Sequence, residues 1–180
     1  GARIAVLDRS QEAAAAVVAE LVAAGAREPV LSEVDVRSAA AVDGAIEEVT
    51  SAIGRIDILV NCAGVLEHGS FVKLPGSSHQ GLIDLNISGL TSMLTQFIPP
   101  MVERKKGRIL NVASIAAFQP VPSLATYAAS KAYVLSLSES LAEELAGTGV
   151  SVTALCPGIT ATNMLENAQQ KSSGLKIPAF

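Results

Sequence analysis

Tyr127 stands four residues ahead of Lys131 in the run Tyr127-Ala-Ala-Ser-Lys131. On a helix that spacing puts a phenol and an ammonium on one face, one turn apart. A nearby cation favours the phenolate, so the phenol is expected to titrate below its ordinary value of about 10. A phenol tuned in that way suits proton exchange with an alcohol or carbonyl oxygen. Alone, the pair reads as an exposed helix contact. Ser114 raises its meaning, because a hydroxyl closing the run Arg108-Ile-Leu-Asn-Val-Ala113 can hydrogen-bond the same substrate oxygen.

These residues need elements to hold them, and short apolar runs alternate with longer helical patterns along the chain. Arg3–Leu7 reads as a strand, and Ser10 caps a helix that runs through Ala24 and stops at Gly25. Pro29–Val34 is a second strand, and Ser38 caps a helix ending near Gly54. The unbroken Ile-Leu-Val centre of Ile56–Asn61 suits a strand buried on both faces. A looser Gly- and Ser-rich stretch runs from Cys62 to about Ser78. A helix opened near His79 then carries Ile87, Leu90, Leu94, Phe97 and Met101 as one stripe. Gly107–Ala113 is a fourth strand, Thr126–Ala146 a helix with Val134, Leu137, Leu141 and Leu145 on one side, and Val150–Leu155 a fifth strand.

Strand and helix alternating at this spacing predict an α/β fold, a doubly wound parallel sheet of the Rossmann kind in a single domain over residues 1–180. Such sheets bind ligands at the carboxyl ends of their strands. Asp8, Asn61-Cys62-Ala63-Gly64, Ser114 and Pro157-Gly158 all fall at those ends.

Composition narrows the function classes. The chain has 180 residues, 49% hydrophobic and 17% charged, with a formal charge of −4, which suits a globular domain with one large core. No apolar run is long enough to cross a bilayer, and no broad basic stripe suggests a nucleic-acid partner. A cytoplasmic location is expected, with Cys62 and Cys156 as buried free thiols and no metal site.

With these residues in place, the chain resembles the short-chain dehydrogenase/reductase family over essentially all its length. The resemblance is carried by Asp35-Val36, Asn61-Cys62-Ala63-Gly64, Asn86-Ile-Ser-Gly89, Ser114, Tyr127-x-x-x-Lys131 and Pro157-Gly158-Ile-Thr-Ala-Thr162. It implies an oxidoreductase that passes hydride between a nicotinamide cofactor and a small, mainly hydrophobic alcohol or ketone. Tyr127 would exchange the proton, Ser114 would hold the oxygen, Lys131 would bind the nicotinamide ribose, and Asn86 would anchor a water linking Lys131 to solvent. Asp35 would face the adenine edge with Val36 beside it, while Asn61, Ala63 and Gly64 would line the cofactor. Pro157 and Gly158 would shape the nicotinamide wall, and Thr162 would bond the carboxamide or a phosphate. Asp8 can accept the adenosine ribose hydroxyls and repel a 2′-phosphate, which favours NAD, while Arg9 beside it leaves NADP open. Ala116, Phe118, Leu124 and Ile159 would make an apolar substrate wall, with 159–180 as the substrate lid.

Two departures from the family pattern stand out. The Gly-rich turn expected about 20 residues before Asp8 is absent, as are the central strand ahead of it and a closing strand after the lid. The strands ending at Leu7 and Asn61 are therefore expected as unpaired neighbours, and the native polypeptide is expected to extend upstream of Gly1. Cys62 also replaces the second asparagine of the family's Asn-Asn-Ala-Gly turn. Two other readings remain: a non-enzymatic interaction protein of the same fold, and an epimerase or dehydratase using NAD internally. The two helical stripes, with Ile98 and Leu135 beyond them, suit a homodimer or homotetramer.

Overall fold

The computed structural model describes residues 2–158. Strand β1 (Ala5–Asp8) leads into helix α1 (Gln11–Ala23), β2 (Val30–Glu33), α2 (Ala39–Ile53) and β3 (Ile58–Asn61). Helix α3 (Gly76–Ile83) continues through a π-helical segment, Asp84–Gly89, into α4 (Leu90–Glu103). Strand β4 (Gly107–Val112), a 3₁₀ turn at Ile115–Phe118, α5 (Ala125–Glu144) and β5 (Val150–Leu155) complete the order. All ladders are parallel, with β1 on β2, β3 on β4 and β4 on β5. This is the doubly wound α/β architecture.

The punctuation follows local chemistry. Ser10 accepts from the Ala13 N–H at 3.2 Å and Ser38 from Ala41 at 3.3 Å, so each helix start regains an orphan donor. Helix α2 ends at Gly54, whose φ of 77° an L side chain rarely adopts. Looseness was expected up to about Ser78, yet α3 already starts at Gly76 behind Pro75, with no side-chain cap to announce it.

The core lies between the strands and helices α2, α4 and α5. Val42, Leu94, Met101, Ile109 and Val134 are at most 3% exposed. The stripe Leu90, Leu94, Phe97, Met101 is buried there, and Leu137, Leu141 and Leu145 pack against it, so the chain's own core takes up both helical stripes. A polar thread crosses this apolar mass. Asn61 donates to Asn111 at 2.8 Å, Asn111 donates to Ser138 at 2.9 Å, and Ser138 closes on the Val134 carbonyl. Asn111 is fully buried, so each of these bonds offsets a desolvation cost.

Burial on both faces of β3 is not what the structure shows. Ile58 and Val60 are 60% and 54% exposed, while Leu59 between them is buried. Arg108, Ser151 and Thr153 share the open side, because α4 and α5 cover only one face of β3–β4–β5 and no described element covers the other. Strands β1 and β3 belong to separate ladders among the described residues, and their ends border one groove, as expected for unpaired neighbours. At the opposite end of the sheet, Gly149 has φ 84°, and a Cβ there would lie 2.0 Å from the Lys105 carbonyl oxygen. The turns after α4 and α5 thus meet backbone to backbone.

Met101 is fully buried on α4 against the start of β4. Met101→Ala should lose about 2–5 kcal/mol of stability, read as a lower urea midpoint with an unchanged slope.

Candidate active site

A groove of about 350 Å³ runs along the carboxyl ends of β1, β2 and β3. Asp8, Asp35, Val36, Asn61, Ala63 and Gly64 all line it, so six of the residues singled out from sequence come together. Arg9 lines the same end as Asp8. The Asp8 carboxylate accepts from the Ser10 N–H at 2.8 Å, which fixes its direction at the strand end.

Asp35 is gripped by Arg37, whose Nε lies 2.9 Å from both carboxylate oxygens. The side-chain hydrogen bonds from Arg37 lower its pKa from 3.8 to about 2, against a smaller opposing push from burial. Cys62 also borders the groove and is exposed, while Cys156 is half-buried and both are free. The expected burial of both thiols fails because Cys62 falls just past β3, where the chain leaves the sheet.

Beyond Gly64 the groove meets a second cluster. A Cβ on Gly64 would sit 3.3 Å from Asn86 Oδ1 and 3.7 Å from Lys131 Nζ, so the bare backbone keeps that space open. Asn86, 2% exposed, accepts from the Val65 N–H at 2.9 Å and donates to the Val65 carbonyl at 3.0 Å. Its second amide hydrogen goes to Ser130 Oγ at 3.1 Å, and Ser130 donates to the Tyr127 carbonyl at 2.7 Å. Lys131 is 5% exposed and donates to the Val112 carbonyl, the last of β4, at 2.8 Å.

The Ser114 hydroxyl faces the Tyr127 phenol closely enough to oppose the rise in its pKa. Ser114 Oγ also accepts from the Ala116 N–H at 3.1 Å, which leaves its own proton free to donate. The expected lowering of the phenol is not seen. Burial pushes the Tyr127 phenol up, and the Ser114 hydrogen bond opposes this only in part. The Lys131 ammonium donates to a strand carbonyl and lies 5.8 Å from the ring centroid, and it does not offset the lost solvation. Burial likewise lowers the Lys131 pKa, with the sulfurs of Cys62 and Cys156 acting the other way.

Pro157 closes this end, its carbonyl accepting from Ile115 at 3.0 Å beside Ser114. Gly158 is exposed. Thr162, Ile159 and the expected lid at 159–180 lie outside the described residues. The sequence reading missed Ser130, buried at 1% and joining Asn86 to Tyr127. Its signal was a small hydroxyl one turn after Tyr127 on an inward helix face. It also missed Asn111, whose partners are remote in sequence.

The comparisons with known proteins give the family. The short chain dehydrogenase family model matches residues 1–173, so the chain belongs to that family. The 3-oxoacyl-[acyl-carrier-protein] reductase of Synechocystis sp. is 38% identical over 159 residues, covering 88% of this chain and 64% of its own length. The crystal structure of an F189W actinorhodin polyketide ketoreductase with NADPH superposes with a TM-score of 0.90 at 33% identity, over 96% of this chain and 66% of that one. An NAD⁺-bound xylitol dehydrogenase gives 0.86 at 31% identity, over 93% and 65%. The chain therefore spans about two thirds, or less, of the length of these relatives.

The Asp35 carboxyl is held below its unfolded value, so its stabilisation is present above pH 3.8 and lost as pH falls towards about 2. Asp35→Asn should accordingly lower Tm slightly at pH 5, and the gap from wild type should close by about pH 2. Salt should narrow the gap, since the Arg37 pair is partly exposed. Parallel melting curves across this range check both.

Proposed function

We propose that the chain belongs to a nicotinamide-dependent oxidoreductase that interconverts a secondary alcohol and a ketone. One observation carries the reading. Tyr127, Ser114, Lys131 and Asn86 meet at the end of a strand-end groove that Gly64 keeps open. No structural need explains all four together.

The groove suits a dinucleotide. Asp8 and Arg9 stand at one end for an adenosine ribose, Asp35 and Val36 flank the adenine side, and Asn61, Ala63 and Gly64 line the passage to Lys131. Thr162 completes this reading from sequence alone. The nicotinamide, when bound, accepts or supplies the hydride. In reduction, Tyr127 gives its proton to the ketone oxygen; in oxidation it takes that proton from the alcohol. Burial raises the phenol further above its ordinary value of 10.0, so it holds its proton for the donor role. Ser114 donates its free hydroxyl proton to the same oxygen. Lys131 is the group beside the cofactor passage that can hold a ribose hydroxyl. Both amide protons of Asn86 are committed, so a relay water beside Lys131 would be held by an acceptor such as the remaining lone pair of Oδ1.

NAD is preferred, because the Asp8 carboxylate repels a 2′-phosphate that Arg9 alone would have to hold. The similar proteins include one with NADPH and one with NAD⁺, so the choice falls to these two side chains. The substrate is a small, mainly hydrophobic alcohol or ketone, which apolar Ala116 and Leu124, clustered with Tyr127, support, with Phe118 exposed in the turn after Ser114. The reading further takes residues 1–180 as one domain with 159–180 as lid, acting in the cytoplasm as a homodimer or homotetramer. Ile98 and Leu135, still half-buried on α4 and α5, support an interface there.

Tyr127→Phe keeps the ring's packing and removes the proton donor. Turnover should fall about 10²-fold or more with cofactor affinity intact, and near-normal turnover would end the proposal. Asp8→Ala should weaken NAD binding and narrow the preference over NADP, as titrated by the fluorescence of the reduced cofactors. A wild-type protein that already prefers NADP by a wide margin sinks the cofactor assignment.

A further inference from the structure

Helix α3 touches the start of α5 with more than apolar packing. His79, Leu82 and Asn86 lie three and then four residues apart, so one continuous face of α3 and its π-helical extension presents all three. Each meets a different level of α5. His79 Nδ1 lies 2.7 Å from Thr126 Oγ1, Leu82 (1% exposed) clusters with Tyr127 and Ala128, and Asn86 donates to Ser130. Thr126 directly precedes Tyr127, and Leu124 at the helix start offers no side-chain cap. The His79–Thr126 bond therefore supports the turn that carries the phenol from beside the apolar cluster.

The bond has a direction. His79 Nε2 faces the Phe71 carbonyl at 3.3 Å, and a carbonyl can only accept, so Nε2 carries the proton. In the neutral ring Nδ1 then accepts from the Thr126 hydroxyl. Phe71 stacks on the imidazole with ring centroids 4.4 Å apart, and Gly69 donates to the Ser123 carbonyl at 2.9 Å just before α5. The loop between β3 and α3 is thus fastened at the same place as the helix turn.

We infer that His79 is a positioning residue for Tyr127, acting through Thr126 to hold the first turn of α5 so that the phenol stays buried on Ser114. The inference deepens the reading of Tyr127 as the proton-exchanging group and rests on it for its functional meaning. Its test needs neither substrate nor cofactor, so its failure and the failure of that reading are separate results.

The chain has two tyrosines and no tryptophan, so in a Tyr133→Phe background the ultraviolet absorbance of phenolate reports Tyr127 alone. Burial holds this phenol above its ordinary value of 10.0, and loosening the turn should release it. Thr126→Val and His79→Phe should each ionise at lower pH than the parent, and the double variant should shift no further than either single one. His79→Asn, whose amide reaches the position of Nδ1, should stay with the parent. Midpoints of Thr126→Val and His79→Phe that coincide with the parent would overturn the inference. So would His79→Asn shifting as far as His79→Phe, since the ring and not the bond would then matter. Circular dichroism at each pH establishes that the helices are intact. The two single variants break the same bond from opposite sides, so if one fails to fold the other decides.

Discussion

Both main-chain polar groups of Val65 are held by one side chain, the Asn86 amide, much as a neighbouring strand would hold them. The loop leaving β3 has no ladder at that point, and its buried N–H and C=O would otherwise need water. Asn86 also fixes Ser130, and through it the carbonyl of Tyr127. The floor beside Gly64 and the turn bearing the phenol are thereby referred to the same two atoms. Asn86 can reach both because it lies in the π-helical stretch Asp84–Gly89, where the turn takes one residue more than an α-helix. Such widened turns recur at functional sites.

Solvation decides the electrostatics of this cluster. A phenol and an ammonium one turn apart invite an ion pair, yet both are buried and each is driven towards its neutral form. Burial outweighs their mutual attraction, and one of the ammonium's three donors goes to a strand carbonyl, which leaves the others for a ligand. The geometry holds a protonated phenol beside the Ser114 hydroxyl. Asp35 shows the opposite balance. It is half-buried, and direct hydrogen bonds from Arg37 outweigh its modest desolvation.

Elements with local signals were legible from the residues alone. Ser10 and Ser38 mark helix starts, Gly54 marks a stop, and hydrophobic runs mark each strand to within one or two residues. The strand-end groove followed from the order of elements, and six expected lining residues border it. Non-local features stayed hidden. Asn61, Asn111 and Ser138 form one thread across separations of 50 and 27 residues, and no spacing rule joins them. Helix α3 opens at Gly76 on a weakly helical Gly-Ser-Ser run, so packing of Leu82 rather than propensity decides it. The direction of the Tyr127 shift and the exposure of Cys62 and Val60 depend on what covers each residue, which periodicity does not report.

The two ends of the sheet are built by different means. At the carboxyl end, side-chain hydrogen bonds such as those of Asn86 tie the loops to the helices. At the other end Gly149 leaves no room for any side chain against Lys105. Drift there is nearly forbidden, since the smallest substitution forces two turns apart and α4 with them. That clamp sits at the pole away from the groove, so it and the groove's own tight point, Gly64 against Asn86, answer to different neighbours.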